Sequence, residues 1–216
     1  ESMGSKFRDK KLGTFGLMSS FSTYFGHHIS TIEGGFVSTN DEELYEILKA
    51  IRSHGWDRDA APKFSSHLRK QWNTKDFESL YTFYYSGFNL RSTDLQAYIG
   101  LGQIDKLDEI CKKRNHNFKL YQDLLSDYRP YIIDNTKNFI SNFAYPVISI
   151  DKDEIVKRLQ KANIEVRPMI CGSMGTQPFY VKKYGVKILP VVRRIDKYGF
   201  YVPNHPDLTK EEILKI

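Results

Sequence analysis

Apolar positions recur at a helical interval between residues 44 and 51, where Leu44, Ile47, Leu48 and Ile51 form one stripe. Asn40 or Asp41 supplies an N-cap ahead of them, and Glu42 and Glu43 place negative charge in the first turn, where it offsets the unpaired backbone N–H groups. Ser53-His54-Gly55 marks the helix end. Two preceding stretches have strand character. Thr14 to Ser22 is rich in Gly, Ser, Thr and Phe, and Ile29 to Thr39 alternates around Glu33-Gly34-Gly35 before closing on Phe36-Val37-Ser38-Thr39. The loop Gly26-His27-His28 separates them.

Residues 56 to 80 are polar, contain Pro62 and show little periodicity, so the pattern predicts a long loop with one short helix at most. A turn-rich segment, Ser86 to Arg91, leads into a helix capped at Ser92 or Thr93. Its apolar repeat runs from Leu95 to Leu125, which predicts more than 30 residues with a bend near Gly100-Leu101-Gly102. The pattern changes from Arg129. Ala144 to Ile150 reads as a strand, Lys152 to Ala162 as a helix, and Glu165-Val166-Arg167-Pro168 as an edge strand stopped by proline. Ile188 to Arg194 and Gly199 to Val202 fit either state, and Leu208 to Ile213 opens a last helix. The second half is therefore an α+β unit.

Composition narrows the classes. The 216 residues are 40% hydrophobic and 27% charged, as in a globular protein able to bury a core. No apolar run approaches the ~18 residues of a membrane span. The excess of 32 basic over 26 acidic residues, +6, suits an anionic ligand. Those basic residues are scattered and not interleaved with stacking aromatics, which argues against nucleic acid as a partner. The only cysteines, Cys111 and Cys171, cannot by themselves build a four-cysteine zinc or iron-sulfur site, and no metal is expected. Sparse cysteine and no signal-peptide pattern lead to a cytoplasmic expectation.

The segment from Ser20 to Gly35 carries the most chemistry. It resembles the active-site segment of the DegT/DnrJ/EryC1/StrS family, sugar aminotransferases that depend on pyridoxal phosphate, whose pattern reads roughly Ser-Phe-His-Pro-x-Lys-x-Ile-Thr-x-Gly-Glu-Gly-Gly. His27, six residues before Glu33, takes the place of the Lys that binds the cofactor covalently, and Ser22, five residues before His27, matches the serine that binds the cofactor phosphate. Ile32 replaces a glycine of the pattern, a departure expected to alter only the loop. Arg52-Ser53-His54-Gly55, the run from Gly87 to Ala97, Gln103, Leu107, Arg114, Glu165 to Pro168 and Asn204 to Thr209 extend the resemblance over nearly the whole chain.

The resemblance implies an α/β chain of fold type I, the aspartate aminotransferase-like pyridoxal transferase fold. Residues 1–105 would be the C-terminal part of its large cofactor-binding domain, and residues 106–216 a small C-terminal α+β domain. Within the family, His at the Lys position marks the sugar 3-dehydratases. A CDP-sugar member also carries a cysteine-bound iron-sulfur cluster, for which this chain lacks the cysteines, so a GDP-linked 4-keto-6-deoxymannose is the expected substrate. Pyridoxamine phosphate would be held noncovalently and regenerated by glutamate. One imidazole, with an ordinary pKa near ~6.5, can take a proton from the cofactor's C4' carbon and deliver it to the departing C3 hydroxyl. A sugar aminotransferase, or a degenerate homologue that only binds a nucleotide sugar, are the other readings.

The same resemblance puts Asn89 at the cofactor phosphate of a neighbouring subunit in a homodimer, although an asparagine there also suits a turn. Ser22 has the alternative of a plain strand serine. Arg167 and His205 are candidates for sugar or diphosphate contacts, Arg91 equally for an ion pair, and His28 is a loop neighbour or a second participant. Glu1 falls where the family has Gln or Glu beside the cofactor ring. The Asp that holds the pyridine nitrogen would precede it, so the chain is expected to be the C-terminal part of a protein roughly twice as long, not a competent enzyme alone.

Overall fold

A computed structural model of the chain describes residues 1–127 and 138–216, so the change of pattern expected at Arg129 lies outside the described residues. Contacts divide it into two units, Gly13–Asp105 and a second that joins Glu1–Leu12 to Lys106–Ile216. The opening segment holds two short strands, β1 (Lys6–Phe7) and β2 (Lys10–Lys11), which pair antiparallel.

In the unit Gly13–Asp105, β3 (Met18–Ser22) and β4 (Gly35–Thr39) form an antiparallel pair in which Ser22 faces Gly35. The second strand is thus shorter than its alternation predicts, and Ile29–Gly34 is loop. Helix α1 (Glu42–Arg52) begins at Asp41, whose side chain accepts the Leu44 N–H at 2.9 Å. Its end pairs with the segment before the next long helix: His54 N–H donates to Phe88 O, Phe88 N–H to Ile51 O and Leu90 N–H to Arg52 O. Gly55, at φ +91°, lets the two strands of chain touch, since a Cβ there would lie 1.9 Å from Tyr85 O.

The stretch read as loop contains two helices, α2 (Pro62–Gln71) and α3 (Asp76–Ser79). Pro62 starts α2 with its preset φ, and the helix is anchored by polar contacts that leave little apolar period. Arg69 Nε donates to the buried Asp57 carboxylate at 2.8 Å, and Ser65 Oγ to Asp57 O at 3.2 Å.

The expected continuous long helix is two, α4 (Asp94–Ile104) and α5 (Leu107–Leu124). The break falls at Asp105-Lys106, not at the glycines. Both residues keep α-region backbone with ψ opened to −20° and −11°, so a small change in dihedral angle suffices. Gly100 instead marks a close approach, its Cβ position 3.2 Å from the Thr31 methyl.

In the second unit, β5 (Asn138–Phe139) pairs with β1. β6 (Ala144–Ile148), α6 (Lys152–Lys161), β7 (Arg167–Pro168), α7 (Pro178–Tyr184), α8 (Pro190–Tyr198), β8 (Gly199–Pro203) and α9 (Lys210–Lys215) follow. The sheet order is β6-β8-β7, all antiparallel, with the proline strand at the edge as a missing donor requires. Ile188–Arg194 resolves as the start of α8 behind Pro190, and Gly199–Val202 as the central strand.

Phe118 and Tyr121 of α5, Tyr145 of β6, Leu159 of α6, Phe200 and Val202 of β8 and Ile213 of α9 make the core. Beside it α5 holds backbone through buried polar groups. Arg114 Nη1 donates to Phe143 O (3.1 Å) and Asn204 O (2.6 Å), Asn117 to His205 O and Tyr121 Oη to Pro203 O. No helix among the described residues is long and apolar enough to cross a membrane.

Candidate active site

Ser22 ends β3, and the chain then turns through Tyr24–Gly26, where the His27 N–H donates to Tyr24 O at 3.0 Å. Ser22 Oγ accepts the Tyr24 N–H at 3.2 Å, which leaves its own proton to donate. The His27 ring is half-buried and stands edge-on to Tyr24, ring centroids 5.8 Å apart. His28 and Ile29 are buried, 5% and 6% exposed, and anchor the loop beside it.

Beyond Ile29 the loop is laced to itself and to α4. Thr31 N–H donates to Thr23 O at 2.8 Å, the two threonine hydroxyls lie 2.6 Å apart, and Thr23 N–H donates to Gly34 O. Gln103 accepts the Ser30 N–H at 2.9 Å and donates to Ser30 O, while Gln96 donates to Glu33 O at 2.6 Å. Ile32 sits between those two points at φ +70°. That is the left-handed region, strained for a β-branched residue and natural for the glycine of the family pattern. The departure has therefore left the loop's backbone in a glycine conformation.

Asn89 is positioned by a different element. It forms an isolated antiparallel bridge with Ser53 at the end of α1, and its side chain is exposed. Arg91 lies over Trp56, 5.9 Å from the ring centroid, and Arg58 is closer at 3.8 Å and donates to Leu80 O. Ser22, His27 and His28 thus share one segment, and Asn89 is fixed independently.

The family model for the DegT/DnrJ/EryC1/StrS aminotransferases matches residues 1–216. The chain belongs to this family. Its architecture is the α/β fold type I of those transferases. It is 38% identical over 222 residues to GDP-4-keto-6-deoxy-D-mannose 3-dehydratase of Yersinia pseudotuberculosis, covering 99% of this chain and 56% of that protein. Among solved structures, the Escherichia coli GDP-4-keto-6-deoxy-D-mannose-3-dehydratase with bound hydrated PLP superposes with a TM-score of 0.83 at 32% identity, over 99% of this chain and 56% of the other. A variant of GDP-4-keto-6-deoxymannose-3-dehydratase with bound GDP-perosamine gives 0.85 at 32% identity, over 100% of this chain and 57% of the other. The chain spans about half the length of the curated relatives it matches.

The donor set of this family member fits a phosphate-bearing pyridoxal cofactor held without a covalent bond. The Ser22 hydroxyl keeps a proton for a phosphate oxygen, and an imidazole at residue 27 cannot form the imine that an amine would. The remaining candidates belong to the other unit. The Glu1 side chain is exposed, and its carbonyl accepts the Phe143 N–H at 3.2 Å. Arg167, on the edge strand β7, gives both Nε and Nη2 to Glu165 Oε1, at 2.8 and 2.5 Å, and this bonding raises its affinity for its proton. So exposed a pair is weak. His205 Nδ1 accepts the Asp207 N–H at 3.2 Å, which orients an exposed ring. Sequence reasoning found Gln96 and Gln103 only as family pattern. The local signal was there, since residues 96, 100 and 103 lie on one helix face.

Proposed function

We propose that this chain is the C-terminal part of a cytoplasmic 3-dehydratase that removes the C3 hydroxyl from a GDP-linked 4-keto-6-deoxymannose. Residues 1–105 are proposed as its share of the large domain and residues 106–216 as its small domain, although Glu1–Leu12 groups by contacts with Lys106–Ile216. The observation that carries the reading is His27, a half-buried imidazole at the family's lysine position, five residues after Ser22. When bound, pyridoxamine phosphate supplies the amino group that engages the C4 ketone and the ring that accepts electrons.

Ser22 would donate its hydroxyl proton to the cofactor phosphate, and Glu1 would be a further cofactor-binding group. His27 would take the proton from C4' and hand it to the departing oxygen at C3, one group serving first as base and then as acid. Glutamate would resupply the amino group. Asn89 would reach the phosphate across a homodimer interface. Arg167, His205 and His28 are the substrate-side candidates.

The test is made on the full-length protein carrying this chain, incubated with pyridoxal phosphate, glutamate and GDP-4-keto-6-deoxymannose, with products read by mass spectrometry. A product one oxygen lighter is expected, and His27→Asn should lower its rate by about 10²-fold or more. An amino sugar in its place would make the protein an aminotransferase. Binding without turnover would make it a carrier.

A further inference from the structure

The half-buried face of α4 is unusual in composition. Gln96, Ile99, Gly100 and Gln103 are its half-buried positions, whereas the larger Leu95, Tyr98 and Leu101 are exposed. A helix normally turns apolar side chains inward. Here it turns two amides toward the loop that carries His27. Gln103 meets both polar groups of the Ser30 peptide, accepting its N–H and donating to its carbonyl, as a neighbouring strand would. Gln96 accepts the Thr93 N–H at the helix start and with its other end donates to Glu33 O. Gly100 lies between them against the Thr31 methyl.

We infer that Gln103 and Gln96 are positioning residues that hold the His27 imidazole in its working place. The two points of attachment, Ser30 and Glu33, bracket Ile32 in its left-handed conformation. A free loop would relax Ile32 to negative φ and carry the chain on either side with it. The two amides oppose that relaxation, and Ser30 is three residues from His27. The inference rests on the reading of His27 as acid and base, and adds to it where the loop gets its rigidity.

The test uses the full-length protein with Gln103→Leu, which keeps the bulk and removes both hydrogen bonds to Ser30 together with one to Ile99 O within α4, alone and combined with Ile32→Gly. Hydrogen exchange over residues 28–35 should rise about tenfold in Gln103→Leu, with the thermal midpoint of the rest of the protein unmoved. kcat for dehydration should fall about 10- to 100-fold with KM held, the mark of a displaced catalytic group. Ile32→Gly removes the strain that drives the loop away, so the double variant should recover part of kcat. A general loss of stability would not be restored in that way. Unchanged exchange in Gln103→Leu, or raised exchange with kcat intact, would overturn the inference. No deoxy sugar from the wild type would defeat the dehydratase reading itself, and the exchange arm would still decide whether the amides hold the loop.

Discussion

Tyr145 is 1% exposed, stacked on Tyr121 with ring centroids 4.7 Å apart, and its hydroxyl has no hydrogen-bond partner among the described residues. Burial pushes its phenol up to about 12 and raises that of Tyr121 as well. In the unfolded chain a phenol ionises near ~10. Above that pH the unfolded state sheds a proton that the folded state keeps, so stability is full below pH ~10 and falls as pH rises through the folded value. Tyr145→Phe removes an unpaired buried hydroxyl. It should leave stability at pH 7 unchanged or raise it by about 1 kcal/mol, and flatten the alkaline fall, as followed by urea denaturation from pH 8 to 11. At the same scale, the motif placed His27 and Ser22 on one segment from sequence alone. The positive φ of Ile32 was not legible, because a backbone conformation that glycine leaves in a family pattern persists under a different side chain.

Elements were legible where an apolar period or a cap marks them. α1 with Asp41, α4 with Thr93 and α6 all begin where the pattern predicts. α2 was hidden because its anchor is an ion pair, Arg69 with an Asp57 carboxylate whose side chain is 1% exposed. Arg69→Leu strands that charge and should destabilise the unit Gly13–Asp105 by about 2–3 kcal/mol, a figure below the fully buried case because Arg69 itself is partly exposed. Circular dichroism in urea would show it as an earlier transition. The division between α4 and α5 is hidden for the opposite reason: the apolar repeat continues across Asp105-Lys106, and nothing in a side-chain period reports a change in ψ of a few tens of degrees.

At the scale of the molecule, the joining of Glu1–Leu12 to residues beyond 106 had no local signal. Beside the β1–β5 pairing it rests on small polar contacts: Ser5 Oγ to Ser141 Oγ at 3.2 Å, Ser141 N–H to Ser5 Oγ at 2.9 Å, and Cys111 Sγ to Met3 O at 3.3 Å. Gly4, at φ +80°, permits it, since a Cβ would lie 2.4 Å from Cys111 Sγ. Cys111 is buried, and that burial raises its thiol pKa, so it should resist thiol reagents. Gly4→Ala should release the opening segment, exposing Cys111 to a disulfide reagent at least about tenfold faster and opening Lys6–Lys11 to trypsin. Equal labelling of the two proteins would refute this.

The Ser5–Ser141 contact spans 136 residues, and that separation has a meaning during synthesis. The partners of Met3 and Ser5 are translated after the whole of Gly13–Asp105, at ribosomal speeds roughly 5 to 30 seconds later. The intervening unit therefore has its complete sequence before β1 and β2 have β5 to join, and the second unit closes only when residues beyond 106 have been made. The order in which the ribosome makes the parts and the order in which they can dock are different, and a chain stalled before residue 138 would carry β1 without its β5 partner, one edge open to any other strand.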